Sequence, residues 1–333
     1  MLFKDIKGQG RAVGFLKTAI EKDTLAQGYI FLGARGTGKF TTALSFAKAL
    51  NCAARGKEAC GECGPCRKIE SCNHPDLVIV RPSDKGAREI EIDMIRDMRY
   101  LVSLKPYEFR TKVCIIDESD RMSPQAANAL LKTLEEPPPG SVLVLIVENL
   151  SKLLPTIASR CQVIKFFPLM PDALEETLKE EYGVDMMKAR YLSRLASGRL
   201  GEALRLKEGD LLERKNVVID DLTSGRIFDE ERFAVSKEEA PWILDVMLSW
   251  YRDIIMARLG ADDEMFINID RRDAISSASS GIRAGVEDLV RLSTEIVNCR
   301  TYLENNVNLK LAWSVLSEKV ASVAVRPLTG PRG

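Results

Sequence analysis

The sequence predicts an α/β domain with a parallel sheet and a phosphate-binding loop, followed by helical domains. Three observations carry this. Short apolar runs alternate with helix-spaced segments through the first half of the chain, a glycine-rich loop sits between the first run and a helix, and strand signals thin out after Pro168.

The first apolar run is Tyr29, Ile30, Phe31 and Leu32, and an unbroken run of this kind suits a strand buried on both faces. The loop that follows reads Gly33, Ala34, Arg35, Gly36, Thr37, Gly38, Lys39, and residues 42–50 after it are good helix formers. Strand, loop, helix is the order in which backbone N–H groups close around phosphate oxygens, with the lysine reaching the β- and γ-phosphates. Gly33, Gly36, Thr37, Gly38, Lys39 and Thr41 are therefore the candidate nucleotide-binding residues, for ATP or ADP. The position after the lysine requires Ser or Thr, whose hydroxyl holds Mg²⁺, and here it is Phe40, which cannot ligate a hard cation. Thr41 follows, but one residue along a helix turns a side chain by about 100°. Mg²⁺ coordination is disfavoured, and the loop reads as recognising a nucleotide without readily cleaving it.

Next come Cys52, Cys60, Cys63 and Cys66. Thiolates at this spacing can close a tetrahedral Zn²⁺ site, and with no open position or neighbouring acid or base the metal would be structural. Gly61, Gly64 and Pro65 let the chain turn so that N–H groups face the sulfurs. Cys72 and His74, the chain's only histidine, are alternative ligands of lower rank. The bland alternative is a chance cluster of small buried residues.

Three more apolar runs, at residues 77–80, 113–116 and 142–147, complete the expected strands. The second ends in Asp117 and Glu118, carboxylates at a strand's C-terminal edge. In working P-loop ATPases such a pair helps to hold Mg²⁺ and orients the attacking water, and the plain alternative is a solvated strand end. Between the last two runs, Ala126, Ala127, Leu130, Leu131 and Leu134 recur at helical spacing until Pro137, Pro138 and Pro139 end the helix. A short apolar helix at 153–158 leads to Ser159, Arg160 and Cys161. Arg160 reads either as a surface arginine in an ion pair or as a finger offered to a neighbour's γ-phosphate.

From residue 169 to 204 the pattern is helical, residues 205–239 are charge-dense helices and turns, and Trp242, Val246, Met247, Trp250, Tyr251, Ile254 and Ile255 form a face broad enough to be buried on two sides. Val307, Leu311, Val315, Leu316, Val320 and Val323 share one face of a last helix, and residues 327–333 read as disordered. The expected domains are 1–166 with a zinc module at about 52–74, a helical lid at 167–208, and a C-terminal helical domain at 209–333.

Lys plus Arg and Asp plus Glu each number 48, so no overall field draws the chain to nucleic acid or an anionic membrane. The N-terminus lacks a signal peptide's pattern and no apolar run approaches a membrane span, so a cytoplasmic protein is expected.

Taken together, Gly8 and Gln9, the loop at 33–39, the four cysteines, the run 113–120, the stretch AANALLKTLEEPP from Ala126 and the stretch LPTIASRC from Leu154 resemble the bacterial clamp-loader family of AAA+ proteins from the DNA polymerase III holoenzyme. The resemblance implies an AAA+ domain, a lid and a collar domain in a ring with gamma/tau and delta subunits, which loads the sliding clamp onto primed DNA. It also sorts the subunit. Motor subunits carry Thr or Ser after the loop lysine and a sensor II arginine in the lid, and here these are Phe40 and Gly201 in the lid motif Gly198, Arg199, Leu200, Gly201, Glu202, Ala203, Leu204. At the sensor I position stand Val147, Glu148 and Asn149, with Asn149 as the candidate substitute. Arg160 is retained. The chain thus resembles the largely non-hydrolysing, finger-donating subunit, and Asn306, Val307, Asn308 and Leu309 before the last helix resemble that subunit as well. Asp117 and Glu118 would be vestigial. The alternative is an ATP-hydrolysing gamma/tau-like motor, whereas a P-loop kinase is disfavoured because no acceptor site is evident.

Overall fold

The computed structural model describes residues 1–82, 89–207, 210–229, 236, 239–304 and 307–323. Residues 208–209, 230–235 and 237–238 of the charge-dense segment, Asn306 and the tail at 327–333 lie outside the described residues. The chain divides into two compact units, one of Met1–Met170 with Gly198–Glu202 and one of Pro171–Ser197 with Ala203–Gly333.

The first unit runs α1 (Gly10–Glu21), β1 (Gly28–Leu32), α2 (Lys39–Asn51), α3 (Gly64–Glu70), β2 (Leu77–Val80), α4 (Ile92–Ser103), β3 (Lys112–Ile116), α5 (Pro124–Glu135), β4 (Ser141–Val147), α6 (Pro155–Ala158) and β5 (Gln162–Lys165). The strands form one parallel sheet in the order β2-β3-β4-β1-β5. Along β1, Tyr29 and Phe31 turn to one face, joining Phe46, Ile115 and Val144, while Ile30 turns to the other with Ile116, Leu130 and Leu145. Both faces are apolar because helices cover both, which is why the strands read as continuous apolar runs. β5 escaped the sequence reading: it is an edge strand of Gln162, Val163, Ile164 and Lys165, and only Ile164 is buried. α5 begins at Pro124, with the Ser123 hydroxyl accepting from the Ala126 N–H, a cap that fixes its start. Gln9, flagged only by resemblance, has a plain physical role: its amide donates to the Phe167 carbonyl (2.7 Å) and accepts from the Phe167 N–H (3.2 Å).

The register brings Leu32 beside Val147 and Val80 beside Ile116. The C-terminal edge of the sheet therefore gathers the glycine loop, Arg81, Asp117 and Glu118, and Glu148, at the place where open α/β sheets bind ligands.

At the opposite edge, Asp76 is fully buried and accepts from the N–H groups of Tyr107, Glu108 and Phe109, with Lys112 Nζ 3.7 Å away. Burial alone would raise its carboxyl, but these donors outweigh it and hold the pKa below the usual range. Replacing Asp76 by Ala removes the acceptor of three N–H groups and leaves the buried Lys112 charge with only the Leu101 and Leu104 carbonyls, and should cost about 3–5 kcal/mol in denaturant unfolding. Because the folded-state pKa is depressed, the stabilisation is fully present above the ordinary carboxyl pKa and fades as pH falls through the folded value. Stability of the variant should accordingly show less acid dependence than the parent.

The second unit comprises α7 (Pro171–Glu180), α8 (Met186–Leu195), the end of α9 (Leu200–Lys207), α10 (Leu211–Thr223), α11 (Ala240–Arg258), α12 (Arg272–Gly281), α13 (Val286–Glu304) and α14 (Leu309–Val323). α11 packs against α10, α12 and α13, which accounts for its broad apolar face. Lys215 is fully buried, pairs with Asp270 and lies 4.8 Å from the Tyr191 ring centre. α14 departs from the sequence reading. Its inward stripe is Ala312, Leu316, Val320 and Val323, while Val307, Leu311 and Val315 form a neighbouring stripe that stays exposed. None of the described helices is long and apolar enough to cross a membrane.

Candidate functional site

The glycine loop folds between β1 and α2 as its spacing requires, with Gly36 (φ 82°) and Gly38 (φ 88°) in the left-handed region. The Thr37 hydroxyl donates to the Ala34 carbonyl at 2.8 Å. Lys39 is turned onto its own loop: its buried ammonium donates to the Gly33 carbonyl and, at 2.7 Å, to that of Ala34. Burial pushes its pKa down, against the opposing pull of Glu148, Asp117 and Asp120. Thr41 is half-buried in the first turn of α2.

The Phe40 ring packs against the apolar cluster on its side of the sheet. Above it lies a residue that the sequence reading missed. The guanidinium carbon of Arg81, immediately after β2, sits 4.1 Å from the Phe40 ring centre, and its Nε is 3.5 Å from Asp117 Oδ2. Burial raises the Asp117 pKa, and Arg81 is the leading influence opposing that rise. Glu118 is bound on both oxygens, one 3.7 Å from Arg35 and the other accepting from Arg121. Asn149 does not face the loop lysine through its side-chain oxygen, which accepts from the Ser151 N–H (3.0 Å) and hydroxyl (2.7 Å). Mg²⁺ requires a near-octahedral shell of oxygens. A ring in place of the hydroxyl and a carboxylate already paired with an arginine do not fit it.

Gly201 touches this loop directly. Its N–H donates to the Gly36 carbonyl at 2.9 Å, and a Cβ built on it would lie 3.0 Å from the Gly36 Cα. No larger residue enters without moving the loop backbone, which is a physical reason for glycine where motors have arginine. Gly201→Arg should lower stability by about 1–3 kcal/mol in thermal or denaturant unfolding, and an unchanged or raised melting temperature would show that the loop yields freely.

Arg160 follows α6 and is exposed. One guanidinium nitrogen donates to the Thr156 carbonyl (3.0 Å) and the other pairs with Glu135 at 3.0 Å. The ion pair of the plain reading is thus present. Glu135 also lines a cleft of about 600 Å³ with Arg96, Arg99, Tyr100 and Lys132.

The four cysteines converge, with all four sulfurs within 4.8 Å of one another. A tetrahedron with Zn–S bonds of about 2.3 Å has sulfur–sulfur edges of about 3.8 Å, and Cys52 and Cys63 stand at 4.0 Å. The Cys60 N–H donates to Cys52 Sγ (3.2 Å) and the Cys63 N–H to Cys60 Sγ (3.4 Å), as the glycine-rich turns suggested. The N–H groups of Glu62 and Cys63 bring the Cys60 thiol down to about 6, while burial pushes Cys66 up to about 12. The donor set fits a metal that favours thiolates. The lower-ranked alternatives stand apart. Cys72 lies outside the cluster, and His74 is engaged elsewhere: it stacks on Phe109, accepts from the Asp76 N–H through Nδ1, and lies 3.1 Å from Glu108 through Nε2.

Comparison with known proteins agrees with this arrangement. The family described as DNA polymerase III, delta subunit, matches residues 8–170, and the one described as its C-terminal part matches residues 221–316. DNA polymerase III subunit delta' of Bacillus subtilis is 31% identical over 318 residues, covering 91% of this chain and 93% of that protein. Subunit tau of the same organism is 33% identical over 229 residues, but the match covers 65% of this chain and 40% of that protein. Among solved structures, a DNA polymerase III gamma subunit-related protein from Thermotoga maritima aligns over 94% of this chain and 99% of that chain, at 17% identity and a TM-score of 0.41. The match to delta' runs nearly end to end in both proteins and the match to tau is partial, so this chain belongs to the delta-prime family of DNA polymerase III subunits.

Proposed function

We propose that this chain is a largely non-hydrolysing AAA+ subunit of the bacterial clamp loader, acting in the cytoplasm. It joins gamma/tau and delta subunits, helps to load the sliding clamp onto primed DNA, and donates Arg160 to the nucleotide of a neighbouring motor. The observation that carries this is the aromatic ring of Phe40 at the position of the metal-binding hydroxyl, packed into an apolar cluster. The surface on the other side of the domain supports it. Arg160 is exposed, and Arg96, Arg99 and Lys132 line the cleft beside it, a setting suited to a phosphate chain brought by a neighbour. A lid at 167–208 and a collar at 209–333 belong to the same reading. The exposed stripe of Val307, Leu311 and Val315, with Tyr302 beside it, gives the collar an apolar face for neighbouring subunits. Cys52, Cys60, Cys63 and Cys66 hold a structural Zn²⁺. Gly33, Gly36, Thr37, Gly38, Lys39 and Thr41 are the remnant of a nucleotide site, flanked by a vestigial Asp117 and Glu118.

A steady-state ATPase assay on the purified chain tests the reading, with Lys39→Ala as control. Parent and variant should be indistinguishable and close to background. Turnover that Lys39→Ala abolishes would make the chain a motor.

A further inference from the structure

Hydrolysing P-loop proteins hold a divalent metal between the hydroxyl that follows the loop lysine and an acid at a strand end. In this chain the two corresponding positions, Phe40 and Asp117, are bridged by Arg81. Its guanidinium covers the ring at 4.1 Å and reaches the carboxylate at 3.5 Å. The two contacts are complementary. A planar, weakly hydrated cation is attracted by an aromatic face and forms an ion pair through its edge, whereas a hydrated divalent ion finds no ligand in the ring and would have to compete with Arg81 for the carboxylate. The carboxylates at this sheet edge already have cationic neighbours: Glu148, Asp117 and Asp120 act on Lys39, Asp117 also pairs with Arg81, and Glu118 pairs with Arg35 and Arg121. A metal entering at Asp117 would have to displace an arginine from both ring and carboxylate, with no hydroxyl to receive it.

We propose that Arg81 is a resident cation standing where motor subunits bind a divalent metal, so that any phosphate recognition by this loop is indifferent to Mg²⁺. Phe40 and Arg81 then form one device: the ring removes the metal's ligand and seats the cation that replaces the metal. The inference rests on the reading of this loop as non-hydrolysing and adds that the site does not distinguish metal-free from metal-bound nucleotide.

Titration of the full chain with a fluorescent ATP analogue, in Mg²⁺ and in EDTA, tests it. In the parent the two curves should agree within about twofold, or both should show no binding; a Mg²⁺-dependent gain of about tenfold or more overturns the proposal. Arg81→Ala, at a side chain that is half-exposed, should make binding at least about tenfold tighter with Mg²⁺ than with EDTA, and Phe40→Thr combined with Arg81→Ala should widen the gap. Phe40→Thr alone should stay metal-indifferent, because Arg81 still holds Asp117. Full Mg²⁺ dependence from Phe40→Thr alone, or none in the double variant, would remove Arg81 from the role. If Phe40→Thr impairs folding, as a thermal melt would reveal, Arg81→Ala decides alone, and no metal dependence in it overturns the proposal. The two readings fail separately. Intrinsic ATPase activity overturns the non-hydrolysing assignment, while Mg²⁺-dependent binding without turnover overturns only the role of Arg81.

Discussion

Arg160→Ala, introduced into a reconstituted loader, should reduce hydrolysis at the one motor site that this arginine completes by about 10³-fold or more, the range in which arginine fingers act. The chain itself should fold and assemble as before. Arg160 and Glu135 are each more than a third exposed, so their pair contributes at most about 1 kcal/mol and is easily exchanged for a phosphate. Arg160→Lys should restore little, since an ammonium lacks the planar fork that meets phosphate oxygens in parallel. Full ATPase and clamp loading from the Arg160→Ala loader would end the finger assignment and leave the plain ion pair.

Metal removal should have the other large effect. Binding of a structural Zn²⁺ by four cysteines is worth on the order of 10 kcal/mol to the segment it organises, and apart from Ile69 in the main core the segment is otherwise held largely by partly exposed ion pairs such as Lys17–Glu58 and Lys68–Glu108. Its buried cluster is only Cys52, Ala59 and Cys66, with Leu2 and Cys63 packed against them. A strong chelator should therefore release about one Zn²⁺ per chain and expose the amides of residues 52–70 to hydrogen exchange, while those of β1 and β4 stay protected. Cys52→Ser should do the same without chelator. A chain purified free of metal and insensitive to chelation would leave the four thiols as ordinary buried cysteines.

How legible these features were depended on how locally each is encoded. β1 to β4 were readable because both faces of the sheet are covered, which turns each strand into an apolar run. β5 was not, because an edge strand ending in Lys165 needs only one buried side chain. The cysteine cluster was fully readable, its ligands lying within fifteen positions of one another in sequence. The loop was half readable. Phe40 announced the missing hydroxyl, but Arg81 comes from a different strand end and meets Phe40 only because β2 lies at the sheet edge next to β3. The available signal was its place directly after an apolar run, the same signal that singled out Asp117. Glu135 as the partner of Arg160 had no sequence signal, since nothing in either segment names the other.

The hydrogen bond between Gly201 and Gly36 bears on how readily this site could be rebuilt as a motor. Restoring a motor requires a hydroxyl at residue 40, the removal of Arg81 from Asp117, and an arginine at residue 201. The last of these meets the loop backbone at 3.0 Å before any benefit appears. Residue 201 and the phosphate loop thus behave as one mechanical unit: a side chain added at Gly201 presses on the backbone at Gly36, and a shift of that backbone breaks the hydrogen bond that Gly201 makes to it.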